Sequence, residues 1–395
     1  MSSQYQELGV DPHKANVKKI FAALINNDFP GAFVNIIRDP DVPGQVLTQH
    51  QDGDGSKFIQ RLLHYDKTKD LSVFYGAADD ALAMNSGDIA ASGFVFGKWL
   101  ITDVLNLNLE PEIKEDVMKA IAWRFIELKK IYANYGFYNL FFLGGETADL
   151  RDQVRSAVFD VGITAWAQEK DLILGNTRPG DRIYGFASDG QAVWEKEPNS
   201  GIMFNGLTLA RKCLMSSHYN EEYPQLKRDG VFYTGDYFYH DTCDLLGDMT
   251  VGEAIISPTR QWPILIKQIM LNLKEMNALN LLHGISLNTG GGATKIKNVG
   301  VGGMCYWKNM PPPPPIFRLI QNMSGEDWQH MYEDFNMGVG IDVVGEDNPI
   351  FEAALKKAGA GTNIALYKLG YVRKNISSDS DNRVVLETNS GAWEY

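Results

Sequence analysis

Residues 112–147 read EIKEDVMKAIAWRFIELKKIYANYGFYNLFFLGGET, and this stretch decides the class of fold. Val117, Ile121, Phe125, Leu128 and Tyr132 recur at spacings of three and four, which predicts one amphipathic helix over 112–135. Gly136 supplies its C-terminal stop. A strand-like run over 138–143 follows at once and is expected to end in Gly144-Gly145-Glu146-Thr147. Residues 156–165 (SAVFDVGITA) are small, β-branched and apolar, as a buried strand requires. Downstream, 182–186 and 337–344 read as strands, while 207–215, 258–276 and 348–358 read as helices. Asn348 is the expected N-cap of the last, with Pro349 at its first position. Gly, Asn, Pro and Asp gather in 174–181 (LGNTRPGD), which places a boundary between domains 1–174 and 175–395. The expectation is an α/β chain of the α+β type, in two domains.

Composition narrows the function. Of 395 residues, 44% are apolar and 22% charged, so a large core can form and global disorder is excluded. Lys and Arg number 37 against 49 Asp and Glu, a net charge of −12, which argues against a general nucleic-acid or anionic-membrane binder. Cys213, Cys243 and Cys305 are widely spaced, so neither a disulfide framework nor a structural zinc site is readable. No basic leader with an apolar stretch opens the chain, and no run approaches a membrane span. A reduced cytoplasmic enzyme is the expectation.

The densest chemical signal is Asp52-Gly53-Asp54-Gly55-Ser56-Lys57. Gly53 and Gly55 let backbone approach an anion, carboxylates can hold a divalent ion, and Lys57 can meet a phosphate; the plainer alternative is a turn. An EF-hand register fails, since Lys57 falls where glycine is required and Leu63 where the bidentate Glu belongs. A Walker A loop fails at 93–98, one residue short, and no Gly-x-Gly-x-x-Gly opens a helix. If 78–90 is helical, Asp80 and Asp88 share a face two turns apart. Gly144 to Thr147 adds a third acidic site at a strand end. Three such sites suit a magnesium-triphosphate complex better than any one does. In the second half, Thr289-Gly290-Gly291-Gly292 offers consecutive amides to an oxyanion, the alternative being a linker. His240 and Cys243 lack a second ligand pair, and the five prolines at 311–315 read as a surface spacer.

In their order these motifs resemble the phosphoribosylformylglycinamidine cyclo-ligase family. The opening Tyr5-Gln6-Glu7-Leu8-Gly9-Val10-Asp11 is similar to its Tyr-x-x-x-Gly-Val-Asp. Residues 52–57 resemble its Asp-Gly-Val-Gly-Thr-Lys, with Asp54 and Ser56 in place of Val and Thr. GGETA at 144–148, SPTR at 257–260, TGGG at 289–292 and MYEDFNMGVG at 331–340 complete the series. The resemblance implies a two-domain aminoimidazole-ribonucleotide-synthetase-like fold whose N-terminal domains pair in a homodimer. It implies ATP and magnesium (Mg2+) between those domains and closure of formylglycinamidine ribonucleotide to aminoimidazole ribonucleotide. Asp52, Asp80 and Asp88 would hold the metal; Gly53, Gly55, Ser56, Lys57, Glu146 and Thr147 would line ATP. Asn205, Thr289, Gly290, Gly291 and Gly292 would face the ribonucleotide. Two departures put the substrate in question: 191–204 is longer than the family segment and carries no histidine, and Asn288 precedes Thr289. Another ATP-using relative, such as a small-molecule kinase or selenophosphate-type synthetase, and a non-catalytic nucleotide-binding regulator remain open.

Overall fold

Val46, Thr48, His50 and Asp52 line the covered face of one strand, while Gln49 and Gln51 stand in solvent, so Gln45–Gly53 has the two-residue period of a half-buried strand. The computed structural model describes residues 3–9, 20–224 and 232–395; Val10 and Asp11, which end the opening motif, lie outside the described residues. Strands β1 (Ile37–Arg38) and β2 (Gln45–Gly53) are followed by helices α1 (Lys57–Thr68) and α2 (Tyr75–Ala90). Then come β3 (Trp99–Leu107), α3 (Pro111–Asn134), β4 (Leu140–Asp149) and β5 (Ala157–Gln168). The five strands form one sheet in the order β1-β2-β5-β3-β4, with β3 and β4 parallel and the other pairs antiparallel. The amphipathic helix read over 112–135 is α3, and Gly136 follows it in the left-handed conformation.

The second half holds β6 (Arg182–Ala187), α4 (Leu207–Leu214), α5 (Trp262–Glu275) and β7 (Leu282–Leu287). It continues with β8 (Met304–Asn309), α6 (Pro315–Ser324), β9 (Val339–Gly345) and α7 (Pro349–Thr362), then β10 (Leu366–Lys374), β11 (Arg383–Thr388) and β12 (Gly391–Glu394). Its sheet runs β12-β11-β8-β10-β6-β9-β7. Asn348 caps α7 through its side chain onto Ile350 N, with Pro349 at the first position, as read. The helix expected from 258 begins at Trp262, because Ser257–Thr259 are engaged elsewhere.

Helix α2 decides how the halves meet. Every residue but Tyr75 is buried, and it packs against β2, β5, α3 and α5. Ala77, Ala78, Ala81, Ala83 and Gly87 keep it thin enough to lie between layers, and Asp79, Asp80 and Asp88 are buried with it. The apolar run over 73–78 is helical: Leu71–Phe74 is a 3₁₀ turn leading into α2. A run of small apolar residues looks alike in a buried strand and in an all-round buried helix. Likewise Gly144–Thr147 does not end a strand but lies inside β4.

Asp334, within MYEDFNMGVG, is 2% exposed, and its Oδ2 has no hydrogen-bond partner. Burial pushes its pKa up to about 7, with Ser3 opposing and Glu333 adding to the rise. A carboxyl raised in the folded state binds protons that the unfolded chain has released, so stability falls as pH climbs from about 4 towards 7. Asp334→Asn is therefore expected to flatten the pH dependence of thermal unfolding and to raise the midpoint at pH 8. The gain is bounded by about 4 kcal/mol, and no gain is expected at pH 4; equal effects at both pH values would refute it.

Candidate active site

Two clusters form where the loop 52–57 meets α2, and they divide the expected residues between them. In the first, Lys57 Nζ donates to Asp80 Oδ1 (3.2 Å), Met203 O (2.7 Å) and Ser257 O (2.5 Å). Arg61, one helical turn on, pairs with Asp80 and donates from Nη1 to Val73 O (3.1 Å). Thr259 N donates to Asp80 Oδ1 (2.6 Å), and the buried Asp54 lies 3.6 Å from Arg61 Nε. The guanidinium fits only because residue 76 is glycine: a Cβ there would stand 2.1 Å from Nη1. Burial lowers the pKa of Lys57 against the pull of Asp80, and raises that of Asp54.

This placement departs from two expectations. Asp80 is fully buried and takes three protein donors, so here it anchors two cations and presents no open oxygen to a metal. Lys57 donates to protein carbonyls, which joins α1 to the 203 and 257 segments of the second half and leaves no donor free for a phosphate.

The second cluster is open. His50 and Asp52 share the covered face of β2. His50 Nδ1 meets Asn85 Oδ1 at 3.0 Å, and its Nε2 lies 3.3 Å from Asp88 Oδ2. Asn85 also donates to Asp52 O (2.8 Å). Burial works against charge on His50, yet the Asp88 carboxylate outweighs it and raises the pKa. Burial opposes charge on Asp88 too, but Lys295 and His50 hold it below the usual carboxylate range. Asp160, opposite Gly53 on β5, is raised by burial and by Asp52. A Cβ at residue 53 would lie 1.9 Å from the Asp160 carboxylate, which is why that position is glycine.

The substrate-side residues converge on the same place from the other half. Asn205 donates to Asn288 O (3.2 Å), tying the start of α4 to the glycine loop. Gly291 and Gly292 have positive φ (96° and 52°), and Gly290 is exposed. The amides of Gly290 and Gly291 reach no acceptor among the described residues, while Gly292 N bonds Thr289 O at 2.7 Å. Lys295 Nζ, 2.6 Å from Thr289 Oγ1 and over the Phe33 ring, adds an ammonium to that rim. The loop thus carries two unengaged amides and an ammonium, and that ammonium is near enough to help hold Asp88 ionised.

Glu146 and Thr147 are not brought to this place within one chain. They are exposed on β4, three strands from β2 and so roughly 14 Å away. Gly55 is exposed and Ser56 half-buried at the start of α1. His283 is tied to Asp181 (2.8 Å) in the interior. His50, Arg61, Asp160 and Lys295 were missed in the sequence. The two-residue period placed His50 beside Asp52, and the helical period placed Arg61 beside Lys57. Asp160 needed the strand pairing.

The two-sheet α/β fold of this chain is seen in solved structures. One is the HypE-HypF complex, 15% identical, covering 96% of this chain and 98% of that one, with a TM-score of 0.54. Another is phosphoribosylformylglycinamidine synthase II from Thermotoga maritima, 12% identical, covering 99% of this chain and 50% of that one, TM-score 0.56. A third is AaThiL complexed with AMPPCP and TMP, 11% identical over 97% and 96% of the two chains, TM-score 0.52. No protein-family model matches the sequence. Among curated proteins, the phosphoribosylformylglycinamidine cyclo-ligase of Methanococcus maripaludis is 25% identical over 403 residues, 98% of this chain and 97% of that protein. That of Brevibacillus brevis is 28% identical over 364 residues, 87% and 88% of the two. The chain is thus homologous, almost end to end, to the phosphoribosylformylglycinamidine cyclo-ligases.

Proposed function

We propose that this chain is an ATP-dependent cyclo-ligase of purine synthesis, closing formylglycinamidine ribonucleotide to aminoimidazole ribonucleotide with release of ADP and phosphate. The observation that carries the reading is the near full-length likeness to cyclo-ligases, with GGETA, SPTR, TGGG and MYEDFNMGVG in order along it. The γ-phosphoryl of ATP passes to the formyl oxygen, a substrate nitrogen attacks the former formyl carbon, and the carbon–oxygen bond breaks to release phosphate and close the ring. Little covalent work falls to the protein, which must hold two anionic reactants end to end.

The geometry supports a division of labour. The Gly290 and Gly291 amides with Thr289 and Lys295 hold the ribonucleotide phosphate, and Asn205 holds that loop in place. On the other side, Asp88 keeps a buried Oδ1 without a hydrogen-bond partner, and half-buried Asp52 stands close by on β2. Those oxygens suit a magnesium ion; Asp80 does not. When bound, the ion supplies neutralisation of phosphate charge. His50 fixes the orientation of Asp88 through its bond to Asn85. It also puts an imidazole at the site, although 191–204 has none. We place the domain division at 174/175 and the enzyme in the cytoplasm; no described helix is long and apolar enough to cross a membrane.

A homodimer completes the reading. Strand β4 is a sheet edge exposed on both faces, and its own Phe141, Phe142 and Leu143 stand in solvent, with Tyr138 close by in sequence. Such an edge is commonly covered, and a second copy would bring its Glu146 and Thr147 to the partner's nucleotide. Sedimentation equilibrium at micromolar concentration is expected to give twice the mass of the chain; a monomer would count against the pairing. The reaction itself is checked by mass spectrometry after incubation with ATP, magnesium and the ribonucleotide. The expected product is one water lighter than the substrate, whereas a product heavier by a phosphoryl group would favour a kinase instead.

A further inference from the structure

Lys308 and Asp342 form a fully buried ion pair, Nζ to Oδ2 2.6 Å, inside the second half. They stand on β8 and β9, with β10 and β6 between them in the sheet. A pair of this kind contributes little to stability that packed apolar side chains would not, because each ion is taken out of water. What else the two groups touch is informative. Lys308 Nζ donates a second bond, 2.8 Å, to Ala293 O, directly after the three glycines. Asp342 faces the side chain of Asn288, directly before Thr289. The Asn288 amide in turn donates to Val339 O (3.0 Å), and its backbone N to Gly340 O (2.9 Å).

The pair thus engages the loop at both ends, Lys308 at Ala293 and Asp342 at Asn288, while Lys295 bonds Thr289 between them. We infer that Lys308 and Asp342 are positioning residues for the glycine loop, holding residues 288–293 in the shape that receives the phosphate monoester. That ligand rests on the proposed function; the mechanical role does not. A mobile glycine loop would have to be ordered on binding, at the expense of affinity. A loop already held from below binds without that loss.

The test uses the full chain with Lys308→Met, Asp342→Leu and the double substitution. Each single variant strands a buried charge and should lower the melting temperature, while the double variant should recover much of it. In the double variant, amide hydrogen exchange over 288–294 should accelerate at least ~10-fold while β9 keeps its protection. The Michaelis constant for the ribonucleotide should rise ~10-fold with that for ATP within about twofold. Unchanged exchange over 288–294 in a folded double variant would overturn the inference, as would equal rises in both Michaelis constants. If the double variant does not fold, Lys308→Arg keeps the charge but replaces the compact ammonium that meets both Ala293 O and Asp342 with a longer planar fork, and the same localised acceleration is expected from it; wild-type exchange there would refute the role. Exchange needs no substrate, so a wild type without ribonucleotide turnover would remove only the assigned reaction.

Discussion

Asp88→Asn is expected to lower kcat/KM for ATP at least ~100-fold while leaving the fold intact. The substitution keeps the shape of the side chain and a carbonyl oxygen for His50, but removes the charge that Lys295 and His50 hold ionised. It also replaces one carboxylate oxygen, in a group whose Oδ1 has no protein partner, with an amide nitrogen that cannot bind a cation. Titration calorimetry separates the cause: wild-type ATP affinity should collapse when magnesium is chelated, whereas the variant should bind weakly and equally with or without the metal. Metal-sensitive ATP binding of wild-type strength in Asp88→Asn would move the metal site elsewhere.

The second large effect is on stability. Lys57→Met should cost roughly 3–5 kcal/mol, since it removes one cation from a buried cluster and leaves Asp80 with Arg61 and one backbone amide. It also leaves the carbonyls of Met203 and Ser257 without their donor. Denaturant unfolding measures it directly. If Lys57 instead worked only on a phosphate, the variant would unfold like wild type and lose ATP affinity alone. Asp80→Asn should behave the same way, with a smaller loss because the amide oxygen still accepts from Thr259 N.

These two experiments bear on what could be read in the chain itself. The helix over 112–135 was legible because one face of α3 is apolar at helical spacing and the other is not. Helix α2 was harder to read because burial on every side erases that contrast, and only 78–90 of it was read as a conditional helix. β4 was cut short because an edge strand exposed on both faces has no alternation to follow, and its glycines read as a stop. At the site, residue types were legible and partners were not. Asp52, Asp80 and Asp88 looked equivalent in sequence. The fold gives Asp80 to Lys57 and Arg61, and Asp88 to His50, through contacts 19 to 38 residues apart. Lys295 stood only three residues beyond Gly292, yet its role depended on a turn that brings it back over Thr289.

The central claim, ATP-driven closure of a ribonucleotide, is tested most directly by following phosphate release at steady state with magnesium and ATP, with and without formylglycinamidine ribonucleotide. Phosphate should appear only when the ribonucleotide is present, in a one-to-one ratio with aminoimidazole ribonucleotide. Phosphate release that ignores the ribonucleotide, or none in its presence, would contradict the account.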